Sequence, residues 1–314
     1  MRSLYSPVFG LIVFGMLTLT GCEKEADALS EAQAHTLLDL AYGTDDKQKM
    51  DVYLPANRST EETRVAIFIH GGAFMTGDRK DVARTIIDRY VSQGWAVANI
   101  SYRLVNGDQI DSIPPARIDS DILIKDQVAD VSAAVDYILA HARDWAVNGH
   151  RIGMVGHSAG GTLAILYAYS DNNASGKVKA VGNLAGAVDL AFTQYDVDNA
   201  SATKLFIPEF IHRITGRAFE PGNATYSESV SPYHVVKADK PIPIINVFPE
   251  HNAVLLDLPK QDRGTYDRFT ERLSALGIPN RFVEIEGVSH DFGGVETRRQ
   301  AIDETISFFN EYLQ

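Results

Sequence analysis

Residues 151–161 read RIGMVGHSAGG, and the reading of this stretch decides how the rest of the chain is organised. The apolar run 151–156 reads as a buried strand and 159–169, rich in small residues, as a helix; between them lies Gly156-His157-Ser158-Ala159-Gly160. A G-x-S-x-G pattern at a strand-to-helix turn has a mechanical logic. The turn forces the serine into a strained backbone, and side chains at 156 and 160 would collide with neighbouring elements. The hydroxyl of Ser158 is thereby lifted to a helix N-terminus, where negative charge is favoured. That context separates Ser158 from a serine in an ordinary glycine-rich turn.

Working outward, MDVYLP (50–55), VAIFIHGG (65–72), WAVANISY (95–102), KAVGNLAG (179–186), IPIINVF (242–248) and RFVEIEG (281–287) read as strands, most of them continuous apolar runs. Helical spacing appears at 82–94, in Val128, Val131, Val135, Ile138 and Leu139, at about 265–276, and in Ile302, Ile306, Phe309 and Leu313. Strands alternating with helices predict a mainly parallel sheet covered on both faces, an α/β fold. The stretch 190–235 breaks the alternation. It is expected to be an insertion over the C-terminal edge of the sheet, with Phe206, Ile207, Phe210 and Ile211 either as pocket walls or as packing residues.

A second motif, His70-Gly71-Gly72-Ala73-Phe74, closes the strand that begins at Val65. Two glycines there let backbone N–H groups approach a ligand. The N–H groups of Gly72, Ala73 and Ala159 are the expected oxyanion hole, each donor of such a hole contributing ~3 kcal/mol to transition-state stabilisation.

Six pieces, MDVYLP, HGGAF, ISYRL, QVADVSAAVDYI, GHSAGG and GVSHDF, span about residues 42 to 293. Together they resemble the α/β-hydrolase serine carboxylesterases, near the hormone-sensitive-lipase-like and feruloyl-esterase-like groups. The resemblance implies an eight-stranded, mostly parallel sheet with helices on both faces, a small cap at 190–235, and a catalytic triad in the order serine, acid, histidine. It implies cleavage of a small-molecule carboxylic ester through an acyl-enzyme. One departure is Ala73, where the lipase-like pattern often carries a third glycine. His290, in the loop GVSHDF after the last strand, fits the base that a weakly nucleophilic hydroxyl needs.

The third member of the triad is ambiguous in the sequence. It belongs in NVFPEHNAVLLD (246–257). Counting forward from the strand puts Asn252 on the family's aspartate; counting back from His290 lands near Asp257; Glu250 is a third candidate. A carboxylate both orients the histidine and stabilises its imidazolium, so Asp257 is the first choice, Asn252 the second and Glu250 the third. Two other readings stay open: an arylformamidase-like amide hydrolase, and a binding protein on an inactive hydrolase scaffold, which Asn252 alone supports.

The remaining features bound these readings. A net charge of −12 and a pI of about 5.2 leave no basic stripe for nucleic acid. No H-E-x-x-H, C-x-x-C, P-loop or dinucleotide fingerprint calls for a metal or cofactor. At the N-terminus, Arg2, the apolar run 8–20 and Leu19-Thr20-Gly21-Cys22 describe a secretory signal whose end resembles the lipobox of bacterial lipoproteins. The expectation is a signal peptide at 1–21, lipid on Cys22, a tether over 22–41 and a hydrolase domain over 42–314. That places the protein on a bacterial cell-envelope membrane, and Glu23, rather than Asp, favours the outer one. Cys22 is the sole cysteine, so the mature chain has no internal disulfide.

Overall fold

The computed structural model describes residues 29–200, 204–220, 225–252 and 258–314. Strands β1 (His35–Ala41), β2 (Lys49–Leu54), β3 (Val65–Ile69), β4 (Ala96–Ile100), β5 (Ile152–His157), β6 (Val178–Leu184), β7 (Ile244–His251) and β8 (Asn280–Ser289) form a single sheet. Their order is β1-β2-β4-β3-β5-β6-β7-β8. The first three strands in that order pair antiparallel and the rest parallel. Every residue of β3 and β4 is buried, as expected for central strands covered on both faces.

The α-helices among the described residues are α1 (Arg84–Ser92), α2 (Ile124–His141), α3 (Ala159–Tyr169), α4 (Gln194–Asn199), α5 (Phe206–Thr215), α6 (Thr225–Glu228), α7 (Pro232–Val235), α8 (Arg263–Ala275) and α9 (Val295–Tyr312). Two apolar layers result. Ile87 and Tyr90 of α1 pack with Ile302, Ile306 and Phe309 of α9 on one face of the sheet. On the other face lie Val131 and Val135 of α2, Leu163 and Leu166 of α3, and Tyr266 and Phe269 of α8. This is the α/β-hydrolase architecture that the motifs implied.

The start of the domain needs correction. Residues 22–41 were expected to be a tether, yet 35–41 form the edge strand β1, paired with β2. The buried Arg58 guanidinium gathers the carbonyls of Leu29, Ser30 and Gln33, so this segment is fastened to the fold from residue 29 onward. An edge strand with one half-buried face carries too weak an apolar signal to be read from sequence. Cys22 and the expected signal peptide lie outside the described residues.

Between β6 and β7 the chain forms the short helices α4 to α7. Within α5, Phe206, Ile207, Phe210 and Ile211 are all buried. Phe210 stacks on Phe206 and sits 6.3 Å, centroid to centroid, from Phe74. Of the two roles expected for these residues, packing is the one they fill. The helix is pinned by Arg213, which is fully buried and donates to the carbonyls of Asn106, Asp108 and Ala116 and to Glu209. A buried guanidinium is tolerated because four of its five N–H groups are answered and Glu209 balances its charge.

Candidate active site

Ser158 stands at the turn from β5 to α3 with φ 53 and ψ −125, a region that L residues rarely occupy. Holding a residue there costs of order 1–3 kcal/mol and needs surroundings that over-determine it. Those surroundings are visible. The N–H of Ser158 donates to Leu184 on β6 at 2.8 Å, and its carbonyl accepts from Gly161 at 2.9 Å. A Cβ on Gly156 would come within 2.1 Å of Gly160, and one on Gly160 within 2.2 Å of the Ile69 carbonyl oxygen. The elbow is interlocked with β3 at backbone level, which is why the motif demands glycine at both positions.

The oxyanion loop begins where β3 ends. Gly72, Ala73 and Phe74 all have positive φ (115, 51 and 68), so Ala73 occupies the conformation for which a third glycine would be preferred. The N–H groups of Met75 and Thr76 fold back on the Gly72 carbonyl. Buried Gln127 donates to the Phe74 carbonyl at 2.7 Å. His70 stacks on Tyr102 at 4.3 Å and bonds the Gly71 carbonyl through Nδ1. A Cβ on Gly71 would lie 3.1 Å from the Ser158 Cβ, so loop and nucleophile are in contact. Ala159 is the first residue of α3, and its N–H has no acceptor within the helix. The three N–H groups expected to form the hole therefore belong to two segments that flank Ser158.

His290 follows β8. Its Nε2 is 2.9 Å from Ser158 Oγ and its Nδ1 is 2.7 Å from Asn252 Oδ1. The side chain facing Nδ1 is thus the second of the sequence candidates; Asp257, the first, lies outside the described residues. Asn252 is oriented by its own amide, which donates from Nδ2 to the Gln261 carbonyl at 2.8 Å. That bond leaves Oδ1 as the acceptor, so His290 carries its proton on Nδ1 and presents the Nε2 lone pair to the serine. Glu250 is otherwise engaged: its carboxylate accepts from the Gly287 N–H at 2.7 Å and ties β7 to the end of β8.

The amide at Nδ1 is neutral and brings no charge to offset the cost of burying an imidazolium. Burial, aided by neighbouring His157 and opposed by Asp291, lowers the pKa of His290 from 6.5 to about 4. The arrangement can take a proton from Ser158, orient the base and hold a developing oxyanion. Neither the tether from Asn252 to Gln261 nor the engagement of Glu250 was foreseeable, since both depend on which backbone groups the loops bring near.

Known proteins can now be set beside this geometry. The BD-FAE family model matches residues 50–248. Esterase LipC of Mycobacterium tuberculosis is 24% identical over 256 residues, 80% of this chain and 58% of that protein. Kynurenine formamidase of Danio rerio is 28% identical over 170 residues, 53% of this chain and 51% of that one. The chain thus spans little more than half the length of these relatives. Among solved structures, a truncated carbohydrate esterase from gut microbiota superposes with a TM-score of 0.67 at 19% identity, over 90% of this chain and 97% of that one, a likeness of fold.

Proposed function

The chain belongs to the BD-FAE family of α/β-hydrolases, and from that premise we propose that it cleaves small-molecule carboxylic esters through an acyl-enzyme on Ser158. The observation that carries the reading is the unbroken relay from Asn252 Oδ1 through the His290 ring to Ser158 Oγ. In this mechanism His290 Nε2 takes the hydroxyl proton as Ser158 attacks the ester carbonyl. The N–H groups of Gly72, Ala73 and Ala159 receive the oxyanion. His290 then returns the proton to the departing alcohol, and a water activated in the same way releases the acid. Asn252 holds the ring and fixes its tautomer, the part the sequence assigned first to Asp257.

The test is hydrolysis of p-nitrophenyl acetate, butyrate and octanoate by the purified protein beside Ser158→Ala and His290→Ala. We expect turnover that either substitution reduces by at least about 10³-fold. Turnover unchanged in Ser158→Ala would overturn the assignment. The formamidase match favours a second reading on the same machinery, an N-formyl arylamine as substrate. It predicts serine-dependent release of formate where the nitrophenyl esters are poor. A folded protein whose serine fails to react with a fluorophosphonate probe would instead be a binding scaffold.

We also propose attachment to a bacterial envelope membrane through lipid on Cys22. The support is the sequence itself: Arg2, the apolar run and the Leu-Thr-Gly-Cys quartet. Incorporation of labelled palmitate that persists in Cys22→Ala would remove it.

A further inference from the structure

His157 takes no part in the proton transfers above, yet it adjoins the nucleophile, the base and the oxyanion loop. It is the last residue of β5 and precedes the nucleophile. Its Nε2 lies 2.8 Å from the main-chain oxygen of His290 and therefore donates to it. Its ring is centred 5.0 Å from that of His290 and 6.1 Å from that of Phe292. On the other side, a Cβ on Gly71 would fall 3.2 Å from its Nδ1, so the imidazole also abuts the oxyanion loop.

We propose that His157 is a positioning residue that holds the base-bearing loop at hydrogen-bonding distance from Ser158; this rests on the assignment of Ser158 and His290 above. Three observations converge on it. First, the loop is otherwise folded largely on itself: Ser289 and the N–H of Gly293 bond Asp291, and the N–H of Phe292 bonds Ser289. Arg298 ties it to α9. Phe292 packs in the same apolar layer as Val155 of β5, but among the described residues the hydrogen bonds from the loop to the nucleophile strand and elbow are those of His157 with the His290 carbonyl and of His290 with Ser158.

Second, the group behind His290 is an amide. A hydrogen bond to a neutral oxygen is roughly half as strong as one to a carboxylate, so the ring is held less firmly from the Asn252 side than in a triad with a charged acid. A tether on the backbone of His290 compensates without adding charge.

Third, His157 borders an apolar cavity of about 370 Å³ whose lining includes Phe68, Val155, Leu184, Phe292 and Ile302. On that side the ring borders the cavity, and the hydrogen bond to the His290 carbonyl is the polar contact that orients it. Burial keeps His157 below the usual imidazole range against the opposing pull of the His290 carbonyl and Asp291. It remains an uncharged donor beside a base that must itself become positive.

The test compares His157→Leu, which removes the donor at similar volume, with His157→Gln, whose amide reaches the place of Nε2. The readouts are kcat and KM on p-nitrophenyl butyrate, the rate of Ser158 labelling by a fluorophosphonate, and Tm. Misplacing a base by about 1 Å can cost ~10²-fold. We expect kcat and labelling rate to fall about 30-fold in His157→Leu with KM within about twofold, and His157→Gln to recover to within about fivefold. Wild-type rates in His157→Leu overturn the proposal. So do equal losses in two folded variants, because a merely structural role is not rescued by a donor. Should His157→Leu not fold, His157→Asn replaces it: its shorter amide cannot reach the carbonyl, and rates equal to those of His157→Gln overturn the proposal. Labelling needs only nucleophile and base, so it reads His157 even if esters prove the wrong substrate. A failed esterase reading shows itself separately, as wild-type protein that labels but does not turn over.

Discussion

The two sides of Ser158 are built on different principles. On one side, the elbow and the oxyanion loop are locked by backbone: Gly160 sits where any side chain would strike the Ile69 carbonyl, and Gly71 lies against the nucleophile. On the other side, the base is placed by single hydrogen bonds between side chains and loops: Asn252 to Gln261, His290 to Asn252, His157 to His290. The first construction leaves no space for a side chain at Gly156 or Gly160. The second can be adjusted one bond at a time, and should respond to mutation in graded fashion.

The largest effect is therefore expected on the backbone-locked side. In Gly160→Ala the new methyl would lie 2.2 Å from the Ile69 oxygen and 2.6 Å from that of His70. Neither is the end of a flexible side chain, so β3 or α3 must shift. Fluorophosphonate labelling should fall by about 10³-fold or more, and Tm should drop with it, since forced overpacking costs roughly 1–3 kcal/mol. A variant that labels at wild-type rate would show that the elbow is not locked as described.

Next in size is Asn252→Ala. It removes the acceptor for His290 Nδ1 and with it control of the tautomer, while Ser158 and the oxyanion loop stay intact. A loss of about 10²-fold in kcat with unchanged Tm is expected, smaller than the ~10⁴ seen when a charged triad member is neutralised. The measurement that checks it is steady-state kinetics beside a melting curve. An unaffected kcat would mean that another residue, Asp257 included, orients the ring.

The same contrast explains what could be read from the sequence. Strands β2 to β8, α3, the elbow, the oxyanion loop and the position of His290 are written in apolar runs and obligatory glycines, which local physics makes legible. Edge strand β1 is not, because its exposed face dilutes the pattern. The third member of the triad is not either. Asn252, Asp257 and Glu250 lie within eight positions of one another in the sequence, and the engagement of Asn252 and Glu250 is set by contacts with the backbone of Gln261 and Gly287, which no count along the chain reveals. Carboxylate chemistry argued for Asp257, which lies outside the described residues; the described side chain at His290 Nδ1 is Asn252.

Asn252→Asp would sharpen that point. The base acts only when neutral, and with a pKa of about 4 His290 is neutral above that pH, so the acid limb of kcat/KM should fall near 4 rather than near 6.5. A carboxylate within hydrogen-bonding distance favours the imidazolium and raises the pKa by roughly 1–3 units. The limb should move up by that amount in Asn252→Asp. At pH 8, where both forms are neutral, kcat should rise by about tenfold because the imidazolium of the transition state gains a counter-charge. A pH–rate profile of the two proteins checks both parts. A wild-type limb already near 6.5 would mean that a carboxylate reaches His290.

The smallest effect is expected at Glu250, and its smallness is informative. It is the penultimate residue of β7, two positions before Asn252, and its carboxylate accepts from the Gly287 N–H at 2.7 Å. Glu250→Gln keeps an acceptor oxygen there and removes the charge. If Glu250 only joins β7 to the end of β8, kcat should stay within about twofold, with a stability loss below about 1 kcal/mol, since the bond to Gly287 is kept and only its charge assistance is lost. Urea unfolding and turnover on p-nitrophenyl butyrate measure the two quantities. A loss approaching that of Asn252→Ala would put a charge back into the relay, and the side of the site described as neutral and adjustable would have to be redrawn around Glu250.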